Sequence, residues 1–265
     1  MALDRSAPDG SVQGAGLESF VVIHDQEMLL EYEREGRYRN LSRRRYVFVG
    51  DGATDKIDSR DDVIVARMLP DNIEHHANLL SFTAWYAIAR NDLAESGSVS
   101  ILEYDVSIAE SFTAETLAAL SGTHCIAGYV PFKLSHPMFL HATPWFTNSL
   151  EAVYGVDADG IVRSHLGGGG RDLWTATTNI SMRTGDLASF VDWFLPLTVR
   201  FRHDPIGAHV HERTIPIFCK LNQIENVYIP GVLKHTQARS HGILAISQEE
   251  ARDRAAGSAP LLPEN

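Results

Sequence analysis

The strongest constraint on the fold is an alternation: short apolar runs of strand character take turns with segments of helical period through the first half of the chain. "SFVVIHD" (Ser19–Asp25) is β-rich and ends in polar residues, as a buried strand does where it leaves a sheet. "QEMLLEYEREGRYRN" follows with helical spacing and stops near Gly36. "RRYVFVGDG" predicts a second buried strand closed by a turn, and "DDVIVARML" a third extended run ended by Pro70. "DNIEHHANLLSFTAWYAIARND" then sets Leu79, Phe82, Ala84, Trp85, Ala87 and Ile88 at near-helical spacing, with Asp71 and Asn72 as candidate caps. "VSILEYDVSI" predicts a strand, "AESFTAETLAALSG" a helix with a Gly stop, and "HCIAGYVPF" another strand. Such an order builds an α/β sheet whose strand ends open into crevices.

The second half is less regular. It holds an aromatic, His- and Pro-rich loop, "SHPMFLHATPWFTNSLEAVYG", then the glycines Gly167 to Gly170 and a helix over "GDLASFVDWFLPLT". After these come "HVHERTIPIFCKLNQ" and "NVYIPGVLKHTQARSHG". No linker divides the chain, so the expected organisation is a disordered segment over 1–18, one domain over 19–248 and a polar tail over 249–265.

Bulk properties exclude several classes. The net charge of −11 argues against a general nucleic-acid binder, whose affinity depends on neutralising phosphates. No apolar run reaches the length of a membrane span, and "MALDRSAPDGSVQGAGLES" lacks the apolar stretch of a signal peptide. Cys125 and Cys219 are too few for a disulfide framework and sit in apolar company, which fits a reducing cytoplasm. Arg43, Arg44 and Arg45 form a local cationic run: a solvated face, or a contact to an anionic membrane surface or a phosphate.

Four features carry chemistry. In "SILEYDV", Glu103 and Asp105 stand two residues apart, and on an extended strand both would point to one face. Carboxylates that close repel unless a cation, a proton or a basic group lies between them, and Mg²⁺ or Mn²⁺ prefers such oxygen ligands. The plainer reading is a strand running out into a solvated loop. In "HVHERTIPIF", Glu212 would open a helix with Pro216 in its first turn, serving as a helix cap or as a fixed general base. His209 and His211 alternate as metal ligands would on a strand. In "KHTQARSHG", His235 and His241 could complete a metal shell, or with Lys234 and Arg239 bind a diphosphate, or simply satisfy backbone carbonyls. Gly167 to Gly170 suit a mobile loop and match neither dinucleotide nor P-loop patterns. Trp145 and Trp174 are platforms for sugar rings if exposed, and core residues otherwise.

The order of "FVVIHD", "SFTAWYAIARN", "SILEYDV" and "HVHERTIPIF" resembles bacterial GT-A-type glycosyltransferases of the polysaccharide-synthesis group, over roughly residues 20 to 245. The resemblance implies an α/β fold, a GT-A-like (Rossmann-related) mixed sheet flanked by helices, with an irregular C-terminal half. It implies transfer of a hexose from a nucleotide-diphosphate sugar to a hydroxyl of a cell-surface glycan or lipid-linked glycan. The reaction would take place in the cytoplasm, with peripheral contact at the inner face of the membrane. Asp105 and Glu103 would stand in for the usual Asp-x-Asp metal motif, with His235 or His241 adding a contact to Mn²⁺ or Mg²⁺. The first position departs from that pattern, so a metal-independent version is also consistent with it. Glu212 would be the late acid that acts as base or positions the acceptor. His24, Asp25, Asn78, Glu103, Lys234 and Arg239 would meet the nucleotide sugar, and Trp145, Trp174, Thr178, Asn179 and His211 the acceptor. The alternatives are a metal-dependent hydrolase or nucleotidyltransferase using His209, His211 and the acids, and a non-catalytic carbohydrate-binding protein.

Overall fold

The computed structural model describes residues 16–51, 60–133, 137–166, 173–175, 178–201, 203 and 207–236. A seven-stranded mixed sheet forms its centre. Strand β1 (Leu17–Ile23) is buried at every position, as a central strand covered on both faces must be. It pairs in parallel with β2 (Arg44–Phe48) on one side and β4 (Ser98–Glu103) on the other, and β3 (Val63–Val65) adds to β2. Beyond β4 lies antiparallel β9 (Ile180–Arg183), then β6 (Cys125–Gly128) and β10 (Glu225–Tyr228), giving the order β10-β6-β9-β4-β1-β2-β3. Two short pairs stand apart from the sheet: β5 (Val106–Ile108) with β11 (Leu233–His235), and β7 (Pro131–Lys133) with β8 (Leu173–Thr175).

The two faces of β1 separate the core. Val21 and Ile23 pack with α1 (Gln26–Arg34) and α3 (Phe112–Gly122). Phe20 and Val22 face the other way, toward α2 (Ser81–Arg90), α4 (Pro137–Tyr154), α5 (Ala158–Leu166), α6 (Thr184–Phe201) and α7 (Gly207–Leu221). Trp85 of α2, fully buried against Phe190 of α6, anchors this second layer; truncating such a side chain to Ala costs about 3–5 kcal/mol. The α/β architecture expected from the resemblance is thus present, a mixed sheet flanked by helices. Among the described residues no helix is long and apolar enough to cross a membrane.

Several local expectations change. Strand β1 begins at Leu17, inside the segment expected to be disordered. There Glu18 is buried, 2.5 Å from Arg45, and accepts the Glu95 N–H at 2.8 Å. Arg43 pairs with Glu95 at 3.3 Å and Arg44 donates to the Tyr38 carbonyl at 3.3 Å, so the arginine run is engaged by its own chain. Asp71 and Asn72 do not cap α2, which starts only at Ser81; Asn72 instead donates to the Leu69 carbonyl at 2.9 Å, and a 3-10 turn (Ala77–Leu79) intervenes. The Pro-rich "loop" is mostly α4, with Pro144 inside the helix, and α5 follows where no helix was expected. Helix α7 starts at Gly207 rather than Glu212.

Candidate functional site

Strands β1, β2 and β4 run parallel and end on one edge of the sheet, where antiparallel β9 begins. That edge collects His24 and Asp25 after β1, Gly50 and Asp51 after β2, Glu103 to Asp105 after β4, and Thr178 and Asn179 before β9. A crevice at the carboxyl ends of parallel strands is where open α/β sheets place ligands.

The acid pair is not carried on one extended strand. Tyr104 and Asp105 form a turn, and β5 resumes at Val106. The expectation of two acids pointing to one face is corrected accordingly. Glu103 ends β4, half-buried, continuing the alternation of Val99 and Ile101, whose side chains belong to the layer of α2, α6 and α7. Asp105 is 2% exposed, inside the turn.

Three neighbours hold this turn. The Tyr38 hydroxyl donates to the Tyr104 carbonyl. The Thr236 N–H and Oγ1 both donate to the Asp105 carbonyl, at 2.8 and 2.6 Å, and Arg37 Nη1 donates to Thr236 Oγ1 at 2.9 Å. Asn179 meets Glu103 twice: Oδ1 accepts its N–H at 2.8 Å, and Nδ2 donates to its Oε2 at 3.2 Å. Rings line the same edge. His24 meets Tyr104 edge-on with centroids 4.8 Å apart, Tyr104 stacks on Tyr32 at 6.2 Å, and the Arg37 guanidinium lies 3.7 Å over Tyr32. Burial pushes the Tyr104 hydroxyl up to about 12, helped by the negative charges of Asp105 and then Glu103. Both acids therefore act on one small volume around Tyr104.

The remaining candidates fall as follows. His24 is exposed at the crevice rim, and Asp25 caps α1, its Oδ1 accepting the Met28 N–H at 3.0 Å. Asn78 is half-buried on the 3-10 turn that packs against α7. The pairing of β11 with β5 places His235 opposite Val106, next in sequence to Asp105, and exposed Lys234 opposite Ser107. Arg239, His241 and Gly167 to Gly170 lie outside the described residues, as do the side chains of Trp174 and His235. Among the described residues no group of three His, Cys, Asp or Glu side chains could hold a metal.

Glu212 is the sixth residue of α7, not its N-terminal residue, so the helix dipole does not hold it as expected. It is 9% exposed, and Pro216, placed inside the helix rather than in its first turn, has no N–H to give its carbonyl. Burial pulls the pKa of the neighbouring Arg213 down while Glu212 pulls it up. His211 is corrected from acceptor contact to core residue: it is fully buried among Phe82, Trp85 and Phe194, and its Nε2 lies 3.3 Å from Ser81 Oγ. On a helix, positions 209 and 211 are about 200° apart around the axis, so the pair expected on a strand is not formed. Thr178 and Asn179 are also fully buried, which turns both away from acceptor contact toward support of the crevice wall. Trp145 is 42% exposed on α4, its ring 5.8 Å from Phe201. Tyr38, Arg37 and Thr236 were invisible in the sequence, since only the fold brings them to the acids.

No family model and no curated protein matches this chain. Solved structures do. The apo structure of WbbM, a bifunctional glycosyltransferase, superposes with a TM-score of 0.57 at 12% identity, over 84% of this chain and 45% of that one. The chain thus spans less than half of WbbM. The galactosyltransferase LgtC, with donor and acceptor sugar analogues, gives 0.39 at 11% identity over 93% of this chain and 98% of its own. The mannosyltransferase Ktr4p from S. cerevisiae gives 0.35 at 11% identity over 74% and 64%. Those two are too distant to bear on the argument. The likeness to WbbM is a likeness of fold.

Proposed function

We propose that this chain is a glycosyltransferase that moves a hexose from a nucleotide-diphosphate sugar to a hydroxyl of a cell-surface glycan or glycolipid. The observation that carries the reading is the braced acid turn, Glu103-Tyr104-Asp105, at the carboxyl end of a central parallel strand in a fold shared with WbbM. In transfer, the bond from the anomeric carbon to the diphosphate oxygen breaks as the acceptor oxygen bonds to that carbon. The acceptor gives up a proton, and the diphosphate leaves with negative charge. The chain must therefore bind a diphosphate, neutralise it, and take up the proton.

Glu103, Asp105 and His235 are the residues that would hold a divalent cation. Bound there, Mn²⁺ or Mg²⁺ would stabilise the charge on the departing diphosphate. Lys234, exposed on β11 and paired opposite Ser107, adds positive charge near the acid turn. The exposed ring of His24, set edge-on against Tyr104, offers an aromatic contact to the nucleoside. Glu212, on the helix that shares the core layer faced by Glu103, takes the acceptor proton. Trp145, the exposed indole of α4, receives the acceptor.

Titration calorimetry of the full chain with several nucleoside diphosphates, with Mn²⁺ and with EDTA, tests this reading. At least one should bind, more tightly with Mn²⁺, and Asp105→Ala should abolish both that binding and sugar transfer while a melting scan confirms folding. Absence of heat for every nucleoside diphosphate in both conditions overturns the proposal.

A further inference from the structure

Asn179 is fully buried and immediately precedes β9. Its amide closes a ring with a single residue of β4: the acceptor end takes the Glu103 backbone N–H at 2.8 Å, and the donor end reaches Glu103 Oε2 at 3.2 Å. A primary amide carries its acceptor and its donor on two separate atoms, which lets one side chain meet the Glu103 N–H and the Glu103 carboxylate at once; ionised Asp lacks the donor and Leu lacks both. The backbone N–H needs an acceptor, which also fixes which end of the amide faces the carboxylate. A bond from a rigid strand start to the backbone and side chain of the same Glu leaves that carboxylate little rotamer freedom.

We propose that Asn179 is a positioning residue for Glu103, fixing the direction in which its carboxylate faces the crevice. This deepens the glycosyl-transfer reading and rests on it for what the carboxylate meets; the bond itself does not depend on that reading. Asn179 touches no substrate in this scheme. It acts through Glu103, and the donor-independent part of its role is a locked side-chain conformation.

A double-mutant cycle on the full chain tests it, with uridine diphosphate and guanosine diphosphate as probes in Mn²⁺. Asn179→Ala and Asn179→Asp should each weaken binding of whichever probe the native chain takes by about tenfold, the scale of one charge-assisted hydrogen bond. Asn179→Asp keeps the volume and the acceptor, loses the donor, and sets a second carboxylate against that of Glu103. In the Glu103→Ala background neither substitution should weaken binding further, whereas two independent contributions would multiply. Selectively labelled side-chain NMR gives a second readout without ligand. Three-bond couplings should report one Glu103 rotamer in the native chain and averaged values in both Asn179 variants. Multiplying effects in the cycle, or a Glu103 side chain that stays equally fixed without Asn179, overturns the assignment. If neither probe binds the native chain, the donor reading fails for those probes, and the NMR couplings alone decide the role of Asn179.

Discussion

Tyr38→Phe is the most direct probe of what braces the acid turn. Tyr38 is fully buried, with its ring against Tyr46 at 5.8 Å, so the substitution keeps the packed ring and removes only the hydroxyl. What is lost is the bond to the Tyr104 carbonyl. A net hydrogen bond is worth about 0.5–1.5 kcal/mol, and a buried acceptor left short of its donor costs about 1–3 kcal/mol. We expect a loss of about 2 kcal/mol, which for a chain of this size lowers Tm by about 4–8 °C. Burial, then the neighbouring Tyr46, pushes the Tyr38 pKa well above that of a free tyrosine, so the hydroxyl stays a donor throughout the working range. The sign follows: the folded state keeps a proton that the unfolded chain loses above about pH 10, so stability from this group declines only there. Urea unfolding at pH 6 and pH 8 should give the same difference between native and variant. A loss under about 0.5 kcal/mol, or one that changes between those two pH values, refutes the reasoning.

Two further substitutions test other parts of the structure. Arg60 donates to both oxygens of Glu33 at 2.8 Å and to Asp62 at 2.8 and 2.9 Å, and these bonds hold both carboxyls below their ordinary values of 4.5 and 3.8. Arg60→Met should cost about 1 kcal/mol at neutral pH, given partial exposure, and the gap should close in urea titrations as pH falls below those two values and the native carboxylates take up protons. His211→Ala should cost about 3 kcal/mol through the cavity it leaves among Phe82, Trp85 and Phe194; an unfolding midpoint that does not move, with only acceptor KM changed, would restore His211 to the acceptor site.

The elements whose pattern is local are legible in the sequence. The runs "SFVVIHD", "RRYVFVG" and "SILE" lie in β1, β2 and β4 because a buried strand must be apolar whatever it pairs with. Gly36 ends the α1 region with φ of 69°, the left-handed conformation that a glycine supplies without strain. Failures came where tertiary context decides. "PMFLHATPWFTNSLEAVY" reads as a loop by its prolines, yet its burial of Phe146 and Leu150 against the core sustains a helix around Pro144. Ser100, an odd residue for the middle of a central strand, bonds to Ser181 of β9, which bonds in turn to Tyr129, with Thr116 2.9 Å beyond. No spacing rule links those four positions. The acids at 103 and 105 were visible as a motif, but their braces come from residues 37, 38, 179 and 236, a set joined only by the sheet.

The pairing of β11 with β5 also orders events in time. Thr236 reaches the Asp105 carbonyl across 131 positions of sequence, and Arg37 reaches Thr236 across 199. During translation the strands β1, β2 and β4 can pair while β11 is still inside the ribosome. Contacts of such long range close late and slowly. A nascent or stalled chain ending before residue 236 therefore carries these central strands without the Thr236 contacts that brace the acid turn.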